Sequence, residues 1–128
     1  MSDTSLVDRL KGARVAVIGD VILDNHVHGR VSRVSDEAPV PVLHVRDERQ
    51  ALGGAANVAT NIAALGGTAW LIGVVGEDQA GARIFSLIDG LKASISPRLT
   101  TDRTRPTTAK TRYLGGQQQV VRVDRESL

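Results

Sequence analysis

The chain lacks cysteine and has few aromatic residues. Without cysteine neither a disulfide framework nor a thiolate metal site can form, and a reducing compartment is compatible with the sequence. Only Trp70, Phe85 and Tyr113 could stack on a base, and the formal charge of +2 comes from acidic and basic residues that are mixed along the chain. Binding of nucleic acid usually needs a concentrated basic face, often with aromatic side chains for stacking. We therefore expect no nucleic-acid partner.

Long apolar runs are missing as well. The run near the amino terminus, Val15 to Leu23, is interrupted by Asp20. It is far shorter than the roughly 20 apolar residues that a membrane helix needs, and it lacks the flanks of a signal peptide. We expect no membrane partner and a cytoplasmic protein. A chain of 128 residues with 41% hydrophobic content is enough for one domain, or for one piece of a larger domain, without an internal boundary.

Apolar runs and helical patterns alternate in the first two thirds of the chain. Residues Arg14 to Gly19 read RVAVIG, which predicts a strand buried on both faces of a parallel sheet. Residues Gly53 to Gly67 read GGAANVATNIAALGG, which predicts a helix over about 55–65. Apolar residues lie on nearly every side of this helix, so we expect it to be packed deep in the protein.

The same alternation continues. Residues 68–75 predict a second apolar strand, and residues 79–89 predict a second helix that ends at Gly90. Strand, helix, strand, helix is the order of an α/β domain.

Two further segments predict strands outside this alternation. Residues from His26 to Val45 mix glycine and proline with short alternating runs, which predicts exposed or edge strands attached to the core sheet. Near the end of the chain, TAKTRYL and QQVVRVD flank Gly115 and Gly116, which predicts an antiparallel hairpin.

Asp20 follows the first predicted strand. Ligands of open α/β sheets bind beyond the carboxyl ends of the strands, and a carboxylate there can accept hydrogen bonds from sugar hydroxyls. The alternative is that Asp20 only caps the following turn. Asp24, four residues later, is interpreted as structural.

Gly53 and Gly54 precede a predicted helix, where bare backbone amides and the positive end of the helix dipole can bind a phosphate or a polarised oxygen. The alternative is a tight turn from strand to helix. The spacing is not G-x-G-x-x-G and no lysine follows, so neither the dinucleotide fingerprint nor a P-loop is present. Asn57, in the first turn, needs a hydrogen-bond partner, either a sugar hydroxyl or a neighbouring backbone group.

Other polar residues give weaker signals. His26, His28 and His44 lack the spacing of a metal site and are interpreted as surface residues, so we expect no metal ligand in this chain. Lys110 and Arg112, with Arg98, Arg103 and Arg105, could receive an anionic substrate, or form a solvated hairpin face.

Three segments together resemble a known family: GDVILD at 19–24, VSRVSDEAPVPVLHV at 31–45, and the glycine-flanked helix at 53–67. The last resembles the first signature of the ribokinase-like (phosphofructokinase-B type) carbohydrate kinases. The S-R-x-S-x-E-A-P-V-P-V run within the middle segment resembles the heptose 7-phosphate kinases of lipopolysaccharide precursor synthesis. GVVGEDQAG and PTTAKTRYLGGQQQVVRVD continue in the family order.

This resemblance implies an α/β, ribokinase-like fold, with a mainly parallel sheet flanked by helices and a small β lid formed by strands over about 26–46. It implies ATP-dependent phosphorylation of D-glycero-beta-D-manno-heptose 7-phosphate at the anomeric hydroxyl, with Mg²⁺ bridging the ATP phosphates. The equivalents of Asp20, Gly53, Gly54 and Asn57 hold the sugar, and Lys110 and Arg112 are candidate contacts for the substrate phosphate. A homodimer through the lid is expected.

One family motif is missing. The aspartate that deprotonates the acceptor follows a G-A-G-D type motif in this family, and no such motif occurs here. The resemblance therefore implies that residues 1–128 are the amino-terminal part of one kinase domain, with no catalytic residue and no activity on its own. Two alternatives stay open: another sugar or nucleoside kinase of the superfamily, and a non-catalytic sugar-binding or dimerisation fragment.

Overall fold

The structure is a computed structural model that describes residues 4–127; residues 1–3 and 128 of the predicted domain lie outside this range. The strands form two sheets, and the helices lie before or between the strands along the chain. Their bounds in chain order are α1 (Thr4–Asp8), β1 (Arg14–Ile18), β2 (Val21–Val34), β3 (Pro41–Gly54), α2 (Ala55–Ala64), β4 (Thr68–Gly76), α3 (Gln79–Leu91), β5 (Ile95–Asp102), β6 (Thr108–Gly115) and β7 (Gln118–Arg125).

The first sheet is parallel and has the strand order β1-β4-β5. Arg14 pairs with Thr68 at the start of β1, and Ala69 pairs with Ile95 at the start of β5. Parallel neighbours need crossover connections, which usually contain a helix; α2 lies between β1 and β4, and α3 between β4 and β5. The predicted α/β architecture is confirmed.

Within the described residues, a hydrophobic core joins α2 and α3 to one face of the first sheet. Leu71 of β4 and Ile84 of α3 are fully buried in it, together with Ala56 and Ala59 of α2. The opposite face of the same sheet is open among the described residues, since Ile18, Trp70 and Val74 are 76%, 44% and 37% exposed. Their positions alternate with the buried ones, as expected for a strand.

The predicted burial of the first strand on both faces is wrong. Only Val17 of β1 is buried, because β1 pairs with β4 alone and forms an edge of the sheet, with helices covering one face. The predicted deep packing of the first long helix is also wrong: Ala56 and Ala59 are its buried residues, while Val58 is 48% exposed.

The second sheet is mixed and has the order β3-β2-β6-β7. β2 pairs antiparallel with β3 and parallel with β6, and β6 pairs antiparallel with β7. The predicted terminal hairpin is confirmed, with its turn displaced by one residue to 116–117, where Gly116 has a φ of +65°. The predicted lid, 26–46, is the outer part of the β2–β3 hairpin, which is longer than predicted at both ends.

The predicted helix stop at Gly90 is wrong, because Gly90 lies inside α3. The helix ends at Leu91, and Lys92 takes the left-handed conformation with a φ of 48° while its amide donates to Asp89 O. α3 has 13 residues, and no helix within residues 4–127 is long and apolar enough to cross a membrane.

Candidate functional site

Two chain turns meet where the first sheet ends. Asp20 follows β1, and its backbone carbonyl accepts a hydrogen bond of 2.8 Å from Ala55 N at the start of α2. Val21 pairs with Gly54 and Ile22 with Gly53 in the β2–β3 ladder. The fold therefore brings Asp20, Gly53 and Gly54 together beyond the carboxyl end of β1, where open α/β sheets bind their ligands.

Gly54 is required by geometry at this junction. Its φ is +57°, a conformation that side chains other than glycine rarely adopt, and a Cβ at this position would overlap with Asp20 O. Gly54 also has no side chain to cap α2. Apart from Ala55 N, the first amides of α2 are thus left to solvent or to a ligand, which is the arrangement that attracts anions and polarised oxygens.

The side chains of Asp20 and Asn57 are exposed, and neither forms a hydrogen bond or an ion pair within residues 4–127. The turn-capping alternative for Asp20 finds no support, because it is the backbone carbonyl that bonds to the next element. Asn57 does not need an internal partner, since solvent reaches its amide. Both polar groups are therefore available to a ligand.

An open groove of about 590 Å³ runs along β1 and one side of α2, from Ala55 to Ile62. Asp20 and Gly54 line it, together with the apolar side chains of Ile18, Ile22 and Val58. Gly53 and Asn57 do not line the groove: Gly53 lies beneath Asp24, and Asn57 lies one residue before Val58 on α2. The four residues predicted to bind the sugar thus lie at one end of the sheet, but only two of them line the groove.

Asp24 joins this region. A Cβ at Gly53 would overlap with Asp24 Oδ2, so the carboxylate lies directly over the glycine. Its other oxygen, Oδ1, accepts a hydrogen bond of 2.7 Å from Arg112 Nη1, and the two side chains are 22% and 29% exposed. Sequence reasoning interpreted Asp24 as structural. The two-residue alternation of β2, with Asp24 and Ile22 on one face, is the signal that could have placed it beside Gly53.

The two predicted phosphate contacts, Lys110 and Arg112, lie on this same face of the second sheet, and both are paired with carboxylates. Lys110 Nζ lies 3.5 Å from Asp124 Oδ2 and 3.8 Å from Glu126 Oε2. Arg112 uses Nη1 for Asp24. A guanidinium has five N–H donors, so Arg112 keeps donors for a second partner.

A buried polar cluster fixes β6, which carries these cations, against β4 and α3. Gly81 N donates to Asp78 Oδ1 at 2.8 Å, and Thr107, which is 1% exposed, donates to both oxygens of Asp78. Burial raises the pKa of the Asp78 carboxyl, but hydrogen bonds from Thr107 and Gly81 and the charge of Arg125 outweigh this, and the net pKa is lowered. The cluster is a structural support for the site.

Histidine contributes no metal site in the part of the chain that the structure describes. The rings of His26 and His28 stack on β2 with centroids 6.4 Å apart. Residues 4–127 contain no group of three or more His, Cys, Asp or Glu side chains that could hold a metal ion.

Comparison with known sequences identifies a family. Residues 13–127 match the pattern of the pfkB family carbohydrate kinases. The chain is 51% identical over 128 residues to the bifunctional protein HldE of Caulobacter sp., covering 98% of this chain and 26% of that protein. It is 50% identical over 119 residues to the D-beta-D-heptose 7-phosphate kinase of Bordetella bronchiseptica, covering 93% of this chain and 37% of that protein. The chain thus spans well under half the length of these relatives.

Solved structures show the same fold. A carbohydrate kinase from Agrobacterium tumefaciens superposes with a TM-score of 0.68 at 20% identity, covering 88% of this chain and 35% of that one. A ribokinase from Arabidopsis thaliana, complexed with ribose and ATP, also gives a TM-score of 0.68, at 18% identity, covering 89% of this chain and 36% of that one. The predicted ribokinase-like fold is confirmed.

Proposed function

Because the chain belongs to the pfkB family of carbohydrate kinases, we propose that it is the sugar-binding part of a heptose 7-phosphate kinase. The proposed reaction transfers the γ-phosphoryl group of ATP to the anomeric hydroxyl of D-glycero-beta-D-manno-heptose 7-phosphate, in the synthesis of ADP-heptose for lipopolysaccharide. The observation that carries this proposal is the identity of 51% and 50% to two relatives, one of them named as a heptose 7-phosphate kinase, across nearly the whole chain. With ATP as donor, the cytoplasm is the proposed compartment.

The junction of β1, β3 and α2 supplies the proposed sugar site. The carboxylates of Asp20 and Asp24 accept hydrogen bonds from sugar hydroxyls, and charge-assisted bonds of this kind are stronger than neutral ones. Gly53 and Gly54 let the sugar approach the backbone closely. Asn57 adds an amide that can both donate and accept. The exposure of Asp20 and Asn57 and the placement of Asp24 over Gly53 support these roles.

Arg112 has two roles in this proposal. Its bond to Asp24 Oδ1 orients that carboxylate, so Asp24 Oδ2 is presented to the sugar. Its remaining N–H groups and the ammonium of Lys110 bind the 7-phosphate of the substrate. Phosphate binding at Lys110 has to compete with Asp124 and Glu126, whose nearest oxygens lie 3.5 and 3.8 Å away. We therefore expect Arg112 to contribute more than Lys110.

The outer part of the β2–β3 hairpin is the proposed lid. A bulge between His28 and Gly29 interrupts the ladder there, and a Cβ at Gly29 would overlap with His44 O. A bulge bends the strand locally, which suits a lid that closes over the sugar and excludes water before transfer. The hairpin exposes Val34 and Val40 at 61% and 50%, and these apolar side chains support the proposed homodimer through the lid.

The described residues carry no proposed catalytic group. Residues 4–127 contain no group of three or more His, Cys, Asp or Glu side chains that could hold a metal ion, and we assign none of these residues to Mg²⁺, to ATP or to the proton transfer. The 128 residues alone are accordingly expected to bind the sugar without phosphorylating it. Turnover of ATP and heptose 7-phosphate by the isolated chain, lost in Asp20→Asn, would contradict this assignment.

Calorimetric titration of the chain with heptose 7-phosphate tests the proposed site. We expect saturable binding that weakens about 10- to 100-fold in Asp24→Asn, since a hydrogen bond to a charged group contributes about 1.5–3 kcal/mol. Asp89→Asn, at the exposed end of α3, is the matched control and leaves binding unchanged. Equal or tighter binding of ribose, fructose or a nucleoside would instead support another kinase of the superfamily.

A further inference from the structure

A second polar cavity lies on the face of the second sheet that is turned away from the proposed sugar site. It has a volume of about 340 Å³ and lies between β2, β6 and β7 on one side and α3 on the other. Leu23 and Asn25 of β2 line it, whereas Asp24 between them points to the opposite face. We call it the α3 cleft.

A chain of hydrogen bonds orders the polar side chains of the α3 cleft. Arg83 Nε donates to Gln50 Oε1 at 2.6 Å, Gln50 Nε2 donates to Asn25 Oδ1 at 2.9 Å, and Asn25 Nδ2 donates to Thr111 Oγ1 at 3.2 Å. The chain fixes the orientation of both amides. It also holds the Arg83 guanidinium by Nε alone, so that the two terminal nitrogens stay available to a ligand.

The charged side chains that line the α3 cleft are all positive. Arg83 and Arg125 line it, and no aspartate or glutamate does. Within residues 4–127 neither arginine forms an ion pair. The charge of Arg125 does reach Asp78, whose pKa it helps to lower, but the Asp78 oxygens are bonded to Thr107 and Gly81. The cleft therefore has two guanidinium groups without a bonded anion.

Small and apolar side chains form part of the wall of the α3 cleft. Leu23, Ala80 and Ala109 form it, and Leu23 is 3% exposed. An ion above such a surface is partly removed from water, which strengthens its attraction to a cation. Guanidinium groups bind phosphate through pairs of parallel N–H bonds.

We propose that the α3 cleft is an anion site that binds a phosphoryl group, either as inorganic phosphate or as the phosphate of a small metabolite, separate from the site of the sugar. The two sites share strands: Asn25 and Thr111 face the α3 cleft, and their chain neighbours Asp24 and Arg112 form the ion pair on the other face. An anion that draws Arg83 and Arg125 together thereby stiffens the part of β2 and β6 that carries this pair. The proposal does not depend on which sugar the protein binds.

Titration with inorganic phosphate at constant ionic strength, followed by calorimetry and by the side-chain amide NMR signals of Asn25 and Gln50, tests the proposal. The proposed function places a phosphate near Arg112 as well, so the titration is made in the unsubstituted chain and in Arg112→Gln. The binding that survives in Arg112→Gln comes from the α3 cleft or from Lys110, and only the component from the α3 cleft depends on Arg83 and Arg125. We expect that component to weaken at least about 10-fold when Arg83→Gln or Arg125→Gln is added, in line with the loss of a charge-assisted bond.

Arg14→Gln is the matched control, because Arg14 is exposed on β1 and outside the α3 cleft. It is expected to leave phosphate binding unchanged. Shifts of the Asn25 and Gln50 amides in the unsubstituted chain support the site even where an arginine variant folds poorly. Loss of all phosphate binding in Arg112→Gln, unchanged binding in Arg83→Gln, or equal binding of acetate would each overturn the proposal. A glucose 6-phosphate titration separates an ester phosphate from free phosphate as the bound form.

Discussion

Thr107 and Asp78 are joined by two hydrogen bonds, although 29 positions separate them in the chain. Thr107 Oγ1 donates to Asp78 Oδ1 at 2.6 Å, and Thr107 N donates to Asp78 Oδ2 at 2.9 Å. The same hydroxyl accepts from Gly76 N at 2.8 Å. One buried threonine thus ties the end of β4, the start of α3 and the start of β6 together.

Replacing Thr107 should lower the free energy of unfolding. In Thr107→Val the amide of Gly76 loses its hydroxyl partner, and Asp78 Oδ1 keeps only Gly81 N as a donor. A buried group left without its hydrogen bond costs about 1–3 kcal/mol. Urea unfolding followed by circular dichroism measures the loss. Thr60→Val is the matched control, because the Thr60 hydroxyl bonds only to Ala56 O within its own helix, and a change of less than about 0.5 kcal/mol is expected there.

The lowered pKa of Asp78 predicts a pH dependence of the free energy of unfolding. Since the folded state favours the ionised carboxyl, its contribution is complete above the unfolded pKa, about 3.9, and is lost as the pH falls through the lower folded value. The difference in stability between the unsubstituted chain and Asp78→Asn should therefore be largest near neutral pH and shrink on acidification. Urea unfolding between pH 7 and pH 3 measures it, and a difference that stays constant would contradict the assignment.

Two glycine-to-alanine variants should change the stability of the fold in opposite directions. Gly54→Ala combines a left-handed φ of +57° with an overlap at Asp20 O, and the conformational term alone costs about 1–2 kcal/mol. Gly90→Ala meets nothing within 4 Å and lies in α3, so it should stabilise by about 0.5–1 kcal/mol. Thermal unfolding of both variants measures these changes in stability. A Gly54→Ala variant as stable as the parent would show that the turn is not required.

The open face of the first sheet predicts self-association of the isolated chain. Ile18, Trp70 and Val74 expose a contiguous apolar surface beside the unpaired edge of β1, and such surfaces and edges associate. Light scattering should show a mass that rises with concentration, and Ile18→Lys should reduce the rise. Leu6→Lys, at a residue 60% exposed on α1, should not. A compact monomer at every concentration would contradict the prediction.

Local chemistry in the sequence was enough for most of the elements. The glycines around 53–67 marked α2, and the residues on either side of Gly116 marked the β6–β7 hairpin. The prediction that the helix stops at Gly90 was wrong, because a glycine can also lie inside a helix. Here the left-handed residue that ends α3 is Lys92.

What the sequence could not predict depends on neighbours that are distant in the chain. The composition of β1 is that of a central strand, and its exposure follows from having β4 as its one partner within the described residues. Asp24 was interpreted as structural because its relation to Gly53 and Arg112 exists only once β2, β3 and β6 lie side by side. The roles of Asp20, Gly53, Gly54 and Asn57 stay predictions that the binding experiments test.

The parallel pairing of β2 with β6 sets an order of folding. β2 can meet β3 across a short loop, but the bond from Asn25 to Thr111 spans 86 positions. At about 5–20 residues per second of synthesis, roughly 4–17 s pass on the ribosome between the appearance of the two residues. Throughout that interval the inner edge of β2 has no partner. The nascent hairpin therefore presents an unpaired strand edge during this time, and such edges can pair with other chains.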